Sequence, residues 1–326
     1  MYQLTSSPLL LSRVAESAYW AGRYLERAEG TARLIRSHSD LIIDLPRSAT
    51  LGWRPLLAVL GLEAEDESVL TPGEFTATEE RVVALLAADP EMSSSVVASI
   101  GAVHRNLRLT RAVMPIEAAE VLTELHGFVS ETAGRAVDRK TRSGWLSAVI
   151  RQCQTLTGIL ADTMSHDDAY SFFTIGRQLE RADLTSRVLD VQANVLTHRC
   201  GDALEPYLDI SWFAALRSVS ALQAFRRSGL PATPEAKVSF LLRDPKCPRT
   251  VESCLVETAR WLLEIPGHGE PMARCASTQG LLEQADPATL VASGLHDFTD
   301  DLQLAIGQIH QSIAASWFKP VSTTKV

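Results

Sequence analysis

Two short stretches of the chain carry the residue types that do ionic chemistry, and they carry them at the same spacing. Gly22-Arg23-Tyr24-Leu25-Glu26-Arg27-Ala28-Glu29, followed by Arg33, recurs as Gly176-Arg177-Gln178-Leu179-Glu180-Arg181-Ala182-Asp183, followed by Arg187, at an offset of 154 residues. Glutamates set among arginines can do three things. Guanidinium groups, with five donors in a fixed fork, can satisfy carboxylates and lock two packed elements in register. Several arginines together can line a polar pocket for a substrate carboxylate, phosphate or peptide terminus. A glutamate poised among them, Glu26 or Glu180, can serve as acid or base, although neighbouring cations lower its pKa and favour an ionised structural acid over a proton donor. The candidate substrate- or partner-binding residues are therefore Arg23, Glu26, Arg27, Glu29 and Arg33 of the first copy and Arg177, Glu180, Arg181, Asp183 and Arg187 of the second.

These side chains need helices to aim them. On a helix, Gly22, Glu26, Glu29 and Arg33 fall along one stripe, with Arg23 and Arg27 on the next. Gly176, Glu180, Asp183 and Arg187, with Arg177 and Arg181 beside them, repeat the arrangement. Leu25, Ala28, Leu179 and Ala182 face elsewhere and read as core. A glycine inside a helix costs about 1 kcal/mol relative to alanine, so close approach of a second helix is the natural reason for it. The two motif helices are expected to cross near Gly22 and Gly176, so that Arg23 meets Glu180 and Arg177 meets Glu26.

Around the motifs the pattern is helical throughout. Val14, Ala18, Ala21, Leu25, Ala28, Ala32 and Ile35 recur at helical spacing from Ser12, a suitable N-cap, to about residue 45. Asp89-Pro90 and Asp244-Pro245 each place a capping side chain before a proline, which predicts helices over 90–114 and 245–265. Further helices are expected near 117–138, 143–165, 169–199, 210–228, 234–243 and 287–317, with loops at 46–54, 63–78, 200–209, 229–234 and 266–286. No alternating β-branched runs or hairpin signatures occur. The Asp-Pro stretches repeat at an offset of 155, and Leu125-His126-Gly127-Phe128 echoes Leu295-His296-Asp297-Phe298 at 170, as if an insertion lay near Pro266–Pro271. The expected fold class is all-α: a multi-helix bundle built from two pseudo-two-fold-related halves. A single domain over 1–318, with halves of about 1–150 and 151–318, ends in a frayed tail over 319–326.

Composition narrows the function classes. With 326 residues, 46% hydrophobic and 21% charged, the chain is ordinary for a globular protein with ample core. No leader and no apolar run of membrane-spanning length is evident, and five unpatterned cysteines suit reduced thiols, so a soluble cytoplasmic protein is expected. A net charge of −8 disfavours general attraction to nucleic acid or anionic membranes. No phosphate-cradling loop, nucleophile elbow, Glu-x-x-His pair or zinc spacing occurs, which leaves no cofactor, no metal and no recognised catalytic residue. His166-Asp167-Asp168 reads as an acidic helix start and His126 and His296 as satisfied core histidines. Tyr19, Trp20, Tyr24, Tyr170, Phe172 and Phe173 lead into the motifs and pack as core, or else wall a pocket.

The stretch from Leu11-Ser12-Arg13-Val14-Ala15-Glu16 through Tyr19-Trp20-Ala21-Gly22-Arg23 to Glu29 closely resembles the opening of the alpha-E family, bacterial all-helical proteins named for a Glu-Arg motif. The second motif, Leu216–Ala221, Leu241–Pro245 with Pro248-Arg249, and Gly294–Phe298 extend the likeness over nearly the whole chain. Asn106–Pro115 departs from the arginine-rich helix usual there. The resemblance implies neighbours: alpha-E proteins are encoded beside or fused to circularly permuted ATP-grasp ligases, with transglutaminase-like proteins and proteasome-like peptidases often nearby. It thus implies an accessory, non-catalytic partner of an ATP-grasp ligase in peptide amide-bond chemistry, with a peptide or amino-acid substrate. A helical enzyme using the Glu-Arg groove, and an oligomeric scaffold, are the alternatives.

Overall fold

The computed structural model describes residues 12–46, 52–61, 78–196 and 207–318. Among them the chain is helical, without strands. The order is α1 (Ser12–Asp44), α2 (Arg54–Val59), α3 (Glu79–Val83), α4 (Val96–Leu109), α5 (Ile116–Thr132), α6 (Gly134–Val137), α7 (Arg139–Thr163) and α8 (Asp168–Leu196). It continues through α9 (Leu208–Ser218), α10 (Leu222–Ser228), α11 (Pro234–Arg243), α12 (Val251–Leu262), α13 (Gly269–Gln284), α14 (Pro287–Ala292) and α15 (Leu295–Ile313).

The two longest helices, α1 and α8, carry the two motifs and pack on each other more extensively than any other pair. Ala18, Ala21, Leu25, Ala28, Ala32 and Ile35 of α1 are buried, as are Leu179 and Ala182 of α8. These are small or medium side chains at helical spacing, so the two backbones come close. Helices α4 and α7 flank α1 with α5 bridging them, while α12 and α15 flank α8 with α13 between them. Asp167 Oδ1 accepts from the amides of Ala169 and Tyr170 at 3.0 and 3.3 Å, the helix start expected of His166-Asp167-Asp168.

The Asp-Pro stretches do something other than start helices. Asp89 accepts from Glu91 N and Asp244 from Lys246 N and Cys247 N, each closing a turn. The caps are Ser95, which takes the Ala98 amide, and Thr250, which takes that of Ser253, so α4 and α12 begin six residues later than expected, at Val96 and Val251. Each capping hydroxyl also donates back to the aspartate carbonyl, Ser95 to Asp89 at 2.5 Å and Thr250 to Asp244 at 2.6 Å. Thr31 of α1 donates to Ser94 O, and Thr185 of α8 to Arg249 O, tying each turn to its motif helix.

Other boundaries also differ. The expected loop at 266–286 contains α13, whose buried Cys275, Thr278 and Leu282 give it a core-facing stripe. Helix 210–228 is broken between α9 and α10, where Ser220 has φ +59°, and 287–317 is broken before α15 by Gly294 at φ +100°. Helix 117–138 is split into α5 and α6, and α7 starts at Arg139 rather than 143, capped by Asp138. Helix α2 begins at the edge of the expected loop 46–54. His126 lies in α5 and His296 in the first turn of α15, so the echo between them joins different places in the helix order and no insertion near Pro266–Pro271 follows from it. Ser12, expected as the N-cap, is instead the first described residue within α1, and the tail over 319–326 lies outside the described residues, as does most of the loop at 63–78.

Candidate functional site

The site begins at the crossing of α1 and α8. A side chain at Gly22 would collide with the carbonyl of Phe173, and one at Gly176 with the carbonyl of Tyr19. With no Cβ at either position the backbones touch, and the arginines one and five residues on can reach the opposite helix.

They do so reciprocally. Glu180 of α8 accepts from Arg23 Nε and Arg27 Nε at 2.5 Å each, and from Arg27 Nη2 at 3.0 Å. Glu26 of α1 accepts from Arg181 Nε at 3.1 Å and Nη2 at 2.7 Å, and from Arg177 Nη2 at 3.2 Å. A third arginine, Arg249 from the turn before α12, gives Glu26 a 2.5 Å bond and Glu29 a 3.3 Å one. Arg33 binds Glu29 at 2.7 and 3.0 Å within α1, and Arg187 binds Asp183 at 3.0 Å within α8. All ten motif residues expected in the site are thus paired, in three groups: around Glu180, around Glu26 and Glu29, and in the Asp183–Arg187 pair.

The groups around Glu26 and Glu180 are interior. The Glu26 side chain has no exposed surface, Glu180 retains 7%, and the most open of their partners, Arg27, retains 21%. Burial would raise both carboxyls, but their arginines overcome it. Arg181, Arg249 and Arg177 hold Glu26 well below the usual carboxylate range, and Arg23 and Arg27 bring Glu180 down to about 2. Both glutamates are ionised at neutral pH, which gives neither a proton to donate. Arg177 is the least satisfied member. Its Nε is buried without a hydrogen-bond partner, and burial lowers its pKa despite Glu26.

Three contributors were not legible as site residues. Arg249 stands five residues after Asp244, in a turn whose approach to α8 only the fold reveals. Gln154 of α7 reaches Glu29 at 3.4 Å. His310 of α15 pairs through Nδ1 with the hydroxyl of Tyr19 at 2.8 Å, and Arg23 donates to the same hydroxyl at 3.1 Å. Burial lowers the His310 pKa and raises that of Tyr19, so the pair is neutral. Tyr19, Phe172 and Phe173 are core, whereas Trp20 and Tyr24 keep some exposure beside Arg23 and Arg27.

The remaining candidates are structural in their contacts. Cys153, Cys247, Cys254 and Cys275 are free and buried, while Cys200 lies outside the described residues. His126 stacks on His104 at 4.4 Å between centroids and is only partly buried, and His296 is exposed, correcting the expectation of two core histidines. Asp190, His296 and Asp300 bring ligand-type atoms within 4.8 Å of one another, with His296 Nδ1 already hydrogen-bonded to Asp190. Among the described residues no helix is long and apolar enough to cross a membrane.

Glu-Arg motifs lie on the two longest helices, and the described residues are helical without strands. Residues 10–318 match Alpha-E, described as a predicted alpha-helical domain with a conserved ER motif. The chain belongs to the Alpha-E family. This Alpha-E chain is also similar to an uncharacterized protein of Mycobacterium bovis and to one of Mycobacterium tuberculosis, each 24% identical over 323 residues and 92% of this chain. It spans only 35% of the length of those curated relatives. No solved structure is significantly similar to the chain.

Proposed function

We propose that the chain is a non-catalytic partner of an ATP-grasp amide ligase in a pathway that makes or modifies peptides, and that its Glu-Arg motifs clamp two halves of one domain. The observation that carries the clamp is the exchange of partners, Arg23 and Arg27 on Glu180 against Arg177 and Arg181 on Glu26. Equivalent caps, equivalent turn-to-helix bonds and a matching arrangement of helices around α1 and α8 support a pseudo-two-fold relation between halves of about 1–150 and 151–318 within a single domain over 1–318.

Two low-pKa glutamates held by arginines suit an ionic frame better than acid-base catalysis. The partner reading comes from the family likeness, and the relatives, most of whose length lies beyond the matched stretch, agree with an Alpha-E domain working joined to further sequence. The partly exposed rim of the clamp, Arg23 and Arg27 with Trp20 and Tyr24, is the surface offered to a peptide or to the ligase. A transglutaminase-like protein is a second candidate partner, and the cytoplasm is the expected compartment.

Size-exclusion chromatography of the chain with the ATP-grasp protein encoded nearest it, with amide formation assayed on the mixture and on each part, tests this reading. A stable complex whose activity needs both parts is the expected result. Turnover by the isolated chain that is lost in Glu26→Gln would favour the enzyme reading, and self-assembly without affinity for the ligase would favour the scaffold.

A further inference from the structure

A cavity of about 190 Å³ opens where the last turns of α1 meet the residues before α2, α3 and the first turn of α7. It exceeds the roughly 10–15 Å³ that one water needs, and none of the Glu-Arg cluster residues lines it. Its polar walls are Arg36, Asp40, Glu79, Arg139 and Arg142, with Trp53 as an apolar side.

Most of these charges are already committed. Glu79 takes both Arg139 and Arg142, and Arg142 is further fixed by the carbonyls of Ala136 and Val137 at 2.8 Å and stacks over Trp53. The Asp40 carboxylate receives Arg217 at 3.4 Å. Arg36 is different. Its one hydrogen bond among the described residues goes to a neutral group, Ser147 Oγ, at 3.2 Å. Burial, together with Arg33 and Arg217, lowers its pKa although Asp40 opposes the change, so this guanidinium is under-compensated. A half-buried arginine at the wall of a cavity, with one hydrogen bond among the described residues and surroundings richer in arginine than in acid, is suited to accept an anion.

We propose that this cavity binds a small molecule bearing a phosphate or carboxylate group, with Arg36 as the anchor of the anion. Ser147 holds the guanidinium in place, and Trp53 and Leu146 offer apolar surface to the remainder of the ligand. The site does not depend on the ligase partnership, and either can fail without the other.

The test is calorimetric titration of the full chain at low ionic strength with inorganic phosphate and, separately, with succinate. At least one probe should bind once per chain. Arg36→Gln should weaken that binding by at least about tenfold with an unchanged melting temperature, Arg36→Lys and Ser147→Ala should weaken it less, and Arg260→Gln, on the exposed face of α12, should leave it intact. Binding of phosphate alone identifies a phosphorylated ligand, of succinate alone a carboxylate, and of both a general oxyanion site. Absence of binding by either probe at millimolar concentration, or binding that survives Arg36→Gln, would overturn the proposal.

Discussion

The carbonyl of Tyr19 stands where the side chain of any larger residue at Gly176 would begin, and Phe173 stands in the same relation to Gly22. Two glycines therefore set how near α1 and α8 come, and that distance puts Arg23 on Glu180 and Arg177 on Glu26.

Alanine at either glycine must push two helix backbones apart, since a carbonyl held in a helix cannot turn aside. Gly22→Ala and Gly176→Ala are each expected to cost about 3 kcal/mol or more in chemical denaturation. Gly158 in α7 has open space around it. Gly158→Ala should instead gain up to about 1 kcal/mol from helix propensity. Equal effects at all three sites would show that the crossing does not depend on these glycines.

Glu26 holds three arginines, and its loss leaves them facing one another in the interior. Glu26→Gln keeps the shape and removes the charge, with an expected cost of about 3–5 kcal/mol. Arg23→Ala should cost more than Arg177→Ala. Arg23 binds Glu180 at 2.5 Å as one of two partners, whereas Arg177 binds Glu26 at 3.2 Å as one of three. Urea melts of the three variants give the ranking directly.

Stability should fall with acid in two steps. His38 is buried, with Nε2 at 3.0 Å from the Gly52 carbonyl, and burial brings its pKa from 6.5 to about 4. The unfolded chain binds its proton first, so stability is full above 6.5 and declines between there and 4. Glu180, lowered from 4.5 to about 2, and Glu26, also held well below the usual carboxylate range, add a second loss as pH falls below 4.5. His38→Gln should flatten the first step alone and Glu180→Gln part of the second, as read from denaturation midpoints across pH.

Burial pushes the thiols of Cys254 and Cys275 up to about 12, and those of Cys153 and Cys247 also upward. All four should resist a thiol reagent at pH 8 in the native protein and react once it is unfolded. Rapid labelling of any of them in the folded chain, located by mass spectrometry, would contradict this core.

Much of the site was legible because its determinants are local. A glycine, two arginines and a glutamate at helical spacing, stated twice, predicted the crossing and both interhelical pairings. What was missed is non-local or competes with local signals. Arg249 joins Glu26 across more than two hundred residues of sequence, and only the turn tied to Thr185 brings it there. Asp89 and Asp244 looked like caps because proline follows them, yet Ser95 and Thr250 win that role by bonding both the helix amides and the aspartate carbonyls. The glycines and proline of α13 mask a narrow apolar stripe, so the local pattern alone reads as a loop there.

The central claim is that the two motifs hold one another, and a double-mutant cycle on Arg23 and Glu180 tests it most directly. If the clamp is real, Arg23→Ala and Glu180→Ala together cost less than the sum of the two alone, with a coupling of about 2 kcal/mol. Additive costs, within about 0.5 kcal/mol, would contradict the account.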